Sequence, residues 1–150
     1  MTGRRERPPA RRSSAKKSSA KKPAARKTPR PHAGILARAR KICLALPDAH
    51  EKIAWGAPTF RVRDRQFAMF LDNHHGDGRV ALWIKAPPGA QEALVVADPE
   101  RFFRPPYVGA AGWLGVQLDK GLDWGVVAGL VRDGYLEAAP PKLRAALGGA

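Results

Sequence analysis

Phe60-Arg61-Val62-Arg63-Asp64-Arg65-Gln66-Phe67-Ala68-Met69-Phe70-Leu71 decides the fold class of this 150-residue chain. Phe60 and Val62 alternate with Arg61 and Arg63. A period of two puts apolar side chains on one face of an extended strand. Asp64-Arg65 reads as a tight connection, after which Phe67, Met69 and Leu71 continue the alternation. Residues 72–78, Asp-Asn-His-His-Gly-Asp-Gly, form a turn-rich loop. Beyond it Val80, Leu82 and Ile84 alternate with Arg79, Ala81, Trp83 and Lys85. The three runs predict an antiparallel meander.

Helical periods flank this meander. Ile35, Leu36, Ala39, Ile42, Cys43 and Leu46 share one helix face, Arg38 and Lys41 take the other side, and Pro47 ends the helix. Cys43 on that stripe reads as a core residue. Trp55-Gly56-Ala57-Pro58 interrupts the chain before the first strand. Pro87-Pro88 starts a second helix with Ala90, Ala93, Leu94 and Ala97 on its buried side, closed by Asp98-Pro99. Extended pieces follow near residues 102–108 and 113–118. Asp123 then caps a last helix in which Trp124, Val127, Val131 and Tyr135 share a face, and Pro140-Pro141 ends it. The order α-β-β-β-α-β-β-α predicts an α+β, two-layer sandwich: an antiparallel sheet with helices on one side. Its length suffices for one core.

Charge divides the chain differently. The 27 Lys and Arg outnumber the 13 Asp and Glu, giving +14 and a pI near 10.9. Twelve of the basic residues lie in residues 1–32, opposed only by Glu6. This arm has no Leu, Ile, Val or aromatic residue, so it cannot bury enough surface to offset its ordering entropy and is expected to be disordered. It contains a direct repeat, Ser-Ser-Ala-Lys-Lys, at residues 13–17 and 18–22. Its composition resembles linker-histone tails. Lys16, Lys17, Lys21, Lys22, Arg26 and Lys27 are the candidate phosphate contacts, made without reading sequence. The bland alternative is a solubilising extension. A transit peptide or membrane anchor would need an apolar face that the arm lacks. Residues 33–150 form the folded domain and carry only +3. No apolar run spans a membrane. The single Cys43 excludes an internal disulfide and multi-thiolate zinc sites. A reducing compartment, cytoplasm or nucleoid, is expected.

Several strings of the domain carry a family resemblance. They are residues 40–47 (Arg-Lys-Ile-Cys-Leu-Ala-Leu-Pro), 55–62 (Trp-Gly-Ala-Pro-Thr-Phe-Arg-Val) and 98–109 (Asp-Pro-Glu-Arg-Phe-Phe-Arg-Pro-Pro-Tyr-Val-Gly). Gly112-Trp113-Leu114-Gly115-Val116, Leu118-Asp119, Asp123-Trp124 and Ala138-Ala139-Pro140 extend the match. Over roughly residues 34–145 the chain resembles the MmcQ/YjbR family. The resemblance implies a two-layer fold related in shape to CyaY-like and secretion-chaperone-like domains, and DNA binding through a "double wing" of strands. Where the family often has Gly-Lys in a hairpin, this chain has Asp64-Arg65, which keeps the positive charge without the glycine's backbone freedom.

Strand parity names the candidate interface. With Phe60, Val62, Val80, Leu82 and Ile84 toward the helices, Arg61, Arg63, Arg79, Trp83 and Lys85 share the opposite face. With Leu114, Val116 and Leu118 inward, Trp113 and Gln117 point out. Basic residues interleaved with exposed aromatics suit phosphate neutralisation and stacking. Arg65 and Arg104, near connections, are added as phosphate contacts. The ordinary alternative is a solvated strand face, with the tryptophans packed under a helix or at a dimer contact.

His74-His75 with Asp72 and Asp77 reads as a polar hairpin tip, its histidines pointing apart, and no metal site is expected. Glu100 and Arg101 suit an ion pair or cap. No nucleophile set or phosphate-cradling glycine loop is present, so neither enzyme activity nor a cofactor is expected. The expected function is non-enzymatic DNA binding, with DNA as partner and no membrane. A protein-interaction module is the alternative, suggested by exposed Trp83 and Trp113. A polar cavity near Trp55, Arg104 and Tyr107 would favour a third reading, a small-ligand carrier or enzyme.

Overall fold

The computed structural model describes residues 32–147. The arm residues Lys16, Lys17, Lys21, Lys22, Arg26 and Lys27 lie outside the described residues. The folded unit begins at Gly34.

The described residues hold ten α-helices and β-strands. Helix α1 is Ala33–Leu44, followed by strands β1 (Ala49–Ala54), β2 (Ala57–Val62), β3 (Arg65–Asp72) and β4 (Val80–Ile84). Helix α2 (Ala90–Ala97), strands β5 (Phe102–Phe103) and β6 (Leu114–Gln117), and helices α3 (Trp124–Ala138) and α4 (Pro141–Ala146) complete the order. The strands form one six-stranded sheet, β1-β2-β3-β4-β6-β5, antiparallel at every pairing. The α+β, two-layer expectation holds, with one more strand and one more helix than expected. The added strand β1 is an edge strand with His50, Lys52 and Ile53 exposed, so it lacks an apolar signal. The added helix starts with Pro141 in its first turn, where proline is tolerated.

The first two hairpins close through two-residue turns. Trp55 (φ 53°) and Gly56 (φ 75°) join β1 to β2; Arg63 (φ 50°) and Asp64 (φ 67°) join β2 to β3. Positive φ at both positions makes each a type I′ turn, whose twist matches paired strands. The second turn therefore falls one residue earlier than expected and forms without glycine.

A bulge follows. Phe60 pairs with Ala68 but Arg61 with Gln66, leaving Phe67 as an extra residue on β3. Phe67 and Ala68 both join the helix-side core, and Met69 and Leu71 turn to the other face. The sequence alternation through Phe67, Met69 and Leu71 is thus broken at its first step.

The helix-side core joins Phe60, Val62, Phe67, Leu82, Ile84, Leu114 and Val116 to Ala39 and Cys43 of α1 and to Val127, Val131, Tyr135 and Ala138 of α3. The last helix behaves as its period predicts, and Asp123 caps it by accepting from the Gly125 N–H at 3.1 Å. Gly134 lets α3 approach the sheet: a side chain there would collide with the Lys85 carbonyl and Ile84. Helix α2 departs from expectation. Ala93 and Ala97 are exposed, and Gln91 is its buried residue. Among the described residues no helix is long and apolar enough to cross a membrane.

Candidate functional site

The sheet face away from the helices has its own apolar cluster: Ala57, Met69, Leu71, Ala81, Trp83, Phe103 and Trp113, with Val108 against it. Parity placed Trp83 and Trp113 on this face correctly. Their expected exposure is wrong, at 3% and 7%. The segment between β5 and β6 provides Val108 against this cluster. It leaves the sheet at Arg104-Pro105-Pro106, because proline donates no ladder hydrogen bond, and turns back through a 3-10 turn at Val108–Ala111. Gln91 of α2 braces it, donating from Nε2 to the carbonyls of Gly109 at 2.8 Å and Trp113 at 2.5 Å.

Beside this cover lies a pocket of about 510 Å³. Met69, Leu71, Trp83 and Val108 line it with Gln66, while Trp55, His74, His75 and Tyr107 complete its wall. Trp55 is 83% exposed and Tyr107 76% exposed. Tyr107, at φ 65° and ψ −70°, is the centre of a γ-turn closed by the Val108 N–H donating to the Pro106 carbonyl at 2.7 Å. This is the rare, strained form of that turn. The His74 and His75 rings touch, centroids 4.0 Å apart and planes tilted by 56°, rather than pointing apart, because His75 takes φ 51° inside a 3-10 turn (His74–Gly76) instead of an extended loop. His74 also meets Trp83 edge-on at 5.0 Å. Among the described residues, His74 Nε2 and Trp83 Nε1 are the buried side-chain polar atoms without a hydrogen-bond partner. No group of three His, Cys, Asp or Glu side chains suited to a metal ion occurs among the described residues.

The predicted basic set divides into separate places. Arg61 belongs to the pocket face: Nη2 donates to Gln66 Oε1 and Nε to Thr59 Oγ1, both at 3.1 Å. Arg79 lies 4.0 Å over the Phe103 ring and 3.9 Å from Asp77. Arg104 is exposed and its stem runs over Gly109, whose missing side chain makes room for it. Lys85 is half-buried at the end of β4.

Arg63 leaves the shared face because the turn ends the strand alternation. Its Nε pairs with Asp48 at 3.1 Å. Arg63 and Arg65 instead line a second cleft, of about 290 Å³, with Ala139, Pro140, Pro141 and Arg144. Arg144 is held there by donating to the carbonyls of Leu136 and Ala139 at 3.1 and 3.0 Å. The sequence reading missed Arg144, Gln66 and the histidine pair as site residues. The cavity it associated with Trp55 and Tyr107 exists, but it is lined mainly by apolar groups and Arg104 is not part of its wall. Glu100 does not pair with Arg101, which binds Asp98 at 2.9 Å.

A comparison with curated proteins finds no match. Among solved structures, the chain is similar to the crystal structure of Deinococcus radiodurans protein DR2400, a DUF419 domain, with a TM-score of 0.61 and 22% identity. The similarity covers 75% of this chain and 87% of that one, and it shows the shared fold. The family model for YjbR matches residues 44–137, from the end of α1 to the end of α3, and the chain therefore belongs to the YjbR family.

Proposed function

We propose that the protein is a non-enzymatic DNA-binding protein, in which the basic arm contacts phosphates without sequence preference and the folded domain docks its own arginines on the same strand. The observation that carries the domain's part is the convergence of Arg65, Arg144 and Arg63, the last also paired with Asp48, on one cleft whose described lining includes no carboxylate. Arg144 is fixed by its carbonyl partners, so little freedom is lost when it meets a phosphate. Arg61, Arg79 and Arg104 supply further positive charge on the strand side of the domain. The arm adds the larger, salt-dependent share, with twelve basic residues against Glu6. Nucleoid association would follow from such binding.

The test is a salt titration of the full chain on duplex DNA beside a full-length variant whose arm Lys and Arg are changed to Gln. An arm that engages ~6 phosphates makes the log K against log salt slope steeper by roughly 5. Equal slopes would remove the arm from the interface. In the arm-neutralised chain, Arg63→Gln/Arg65→Gln/Arg144→Gln should weaken the remaining low-salt binding. No low-salt binding by the arm-neutralised chain would exclude docking by the domain. The protein-interaction alternative drew on exposed Trp83 and Trp113, and both are buried.

A further inference from the structure

We infer that the pocket on the strand face receives an unpaired nucleobase, so that the protein prefers single-stranded over duplex DNA; this rests on the nucleic-acid reading above.

Backbone strain is the first support. Seven described non-glycine residues have positive φ, and three of them, Trp55, His75 and Tyr107, are ring-bearing residues of this one pocket. A type I′ turn favours Asn, Asp or Gly in its first position, where this chain has Trp55. Trp55 and Tyr107 are also mostly exposed, so core burial does not offset their conformational cost. Strained positions of this kind cluster at ligand clamps.

The chemistry of the wall is the second support. Trp55, His75 and Tyr107 offer ring faces for stacking, and Met69, Leu71 and Val108 offer an apolar floor. The Gln66 amide lines the same space and provides a polar group for the edge of a base. Stacking on aromatic side chains tolerates every base because each has a π-face.

Charge identifies the occupant as part of a polyanion. The Arg61 guanidinium is tied to Gln66 in the pocket wall, where it can meet the phosphate next to an inserted base. In a duplex the base faces are already stacked, and extruding one costs unstacking energy. A single strand avoids that cost.

The test uses full-length protein and fluorescence anisotropy with a labelled oligothymidylate, an abasic strand of equal length and a duplex. The thymidylate should bind at least about tenfold more tightly than the abasic strand, and more tightly than the duplex. Trp55→Asn/Tyr107→Ala should abolish the preference for thymidylate while leaving abasic affinity and the salt slope unchanged. Trp55→Asn alone should raise the melting temperature, since Asn-Gly is the favoured I′ pair, and still weaken thymidylate binding. Trp55→Phe should retain most of it.

Equal affinity for thymidylate and abasic strands overturns the inference and leaves the phosphate-based function standing, as does a preference untouched by the double variant. Free thymidine monophosphate matching the strand's affinity overturns the strand assignment in favour of a small-molecule site. Failure of all three nucleic acids to bind overturns both the inference and the proposed function.

Discussion

The ring of Phe103 fills the place that a side chain on Gly115 would take. Its Cε2 and Cζ atoms lie 2.5 Å from the position of a Cβ there. The two residues are partners across the β5–β6 ladder. Gly115 lies between Leu114 and Val116, which face the helices, so it faces the strand-side cluster. Gly115→Ala must displace Phe103, and with it the ring beneath Arg79. The expected loss is about 1–3 kcal/mol in urea unfolding, the usual cost of overpacking. Adding Phe103→Leu should recover part of that loss, because the two changes relieve one clash. Strictly additive losses would show that the contact does not control the stability of this face.

The cover over the pocket face depends on Gln91. Its Nε2 is shared between two carbonyls of the β5–β6 connection, in a side chain 3% exposed. Gln91→Leu keeps the shape roughly but leaves both carbonyls without that donor. A loss of ~1–3 kcal/mol is expected. The local readout is more telling: amides of residues 107–113 should exchange faster by hydrogen exchange, while those of β2 and β3 keep their relative protection. Unchanged exchange in that segment would show that Tyr107 is held without this brace.

The ladder and the helix layer were legible because their signals are local. Val80, Leu82 and Ile84 keep strict alternation, and Val127, Val131 and Tyr135 keep the helical period, as their burial requires. The parity of Arg61 and Trp83 was also legible. What parity omitted is that both faces of a sheet can be covered: Trp83 and Trp113 are buried by a connection whose path depends on Pro105, Pro106 and a γ-turn at Tyr107. A cavity near Trp55 and Tyr107 was named from sequence, but its apolar wall was illegible for a related reason. Trp55 belongs to a hairpin whose first strand has no apolar stripe, and Met69 reaches the pocket only because the bulge at Phe67 reverses the alternation. Arg144 was missed because it follows Pro140-Pro141, a pair that reads as the end of a helix although another begins there.

Helix α1 is fastened to strand β1 by Arg40 and Glu51. Nε to Oε1 is 2.6 Å and Nη2 to Oε2 is 3.0 Å, a bidentate fork between half-buried side chains. The Glu51 carboxylate raises the Arg40 pKa chiefly through this hydrogen bond, against the lowering effect of burial. The geometry is better than that of an ordinary surface pair, so a coupling of about 1 kcal/mol is expected from a double-mutant cycle of Arg40→Gln and Glu51→Gln. The coupling should shrink at high salt. A coupling indistinguishable from zero at low salt would mean that α1 is held by its apolar face alone.

Cys43 gives the fold a pH dependence on the alkaline side. The thiol is fully buried, and burial first, then the Glu51 carboxylate, pushes its pKa from an ordinary 9.0 up to about 12. Between those values the folded chain keeps a proton that the unfolded chain releases. The folded state binds more protons there, so unfolding free energy falls as pH rises. Stability from this group is complete below about pH 9 and is lost as pH climbs toward about 12, with a slope on the order of 1.4 kcal/mol per pH unit. Tyr135, whose phenol burial also pushes upward, contributes in the same direction, so the thiol is isolated by comparison with Cys43→Ala. That variant should start less stable, from the lost sulfur contacts, and then fall less steeply from about pH 9 to about pH 11, the two curves converging. Parallel curves in urea melts across that range would show that Cys43 does not hold its proton in the native core.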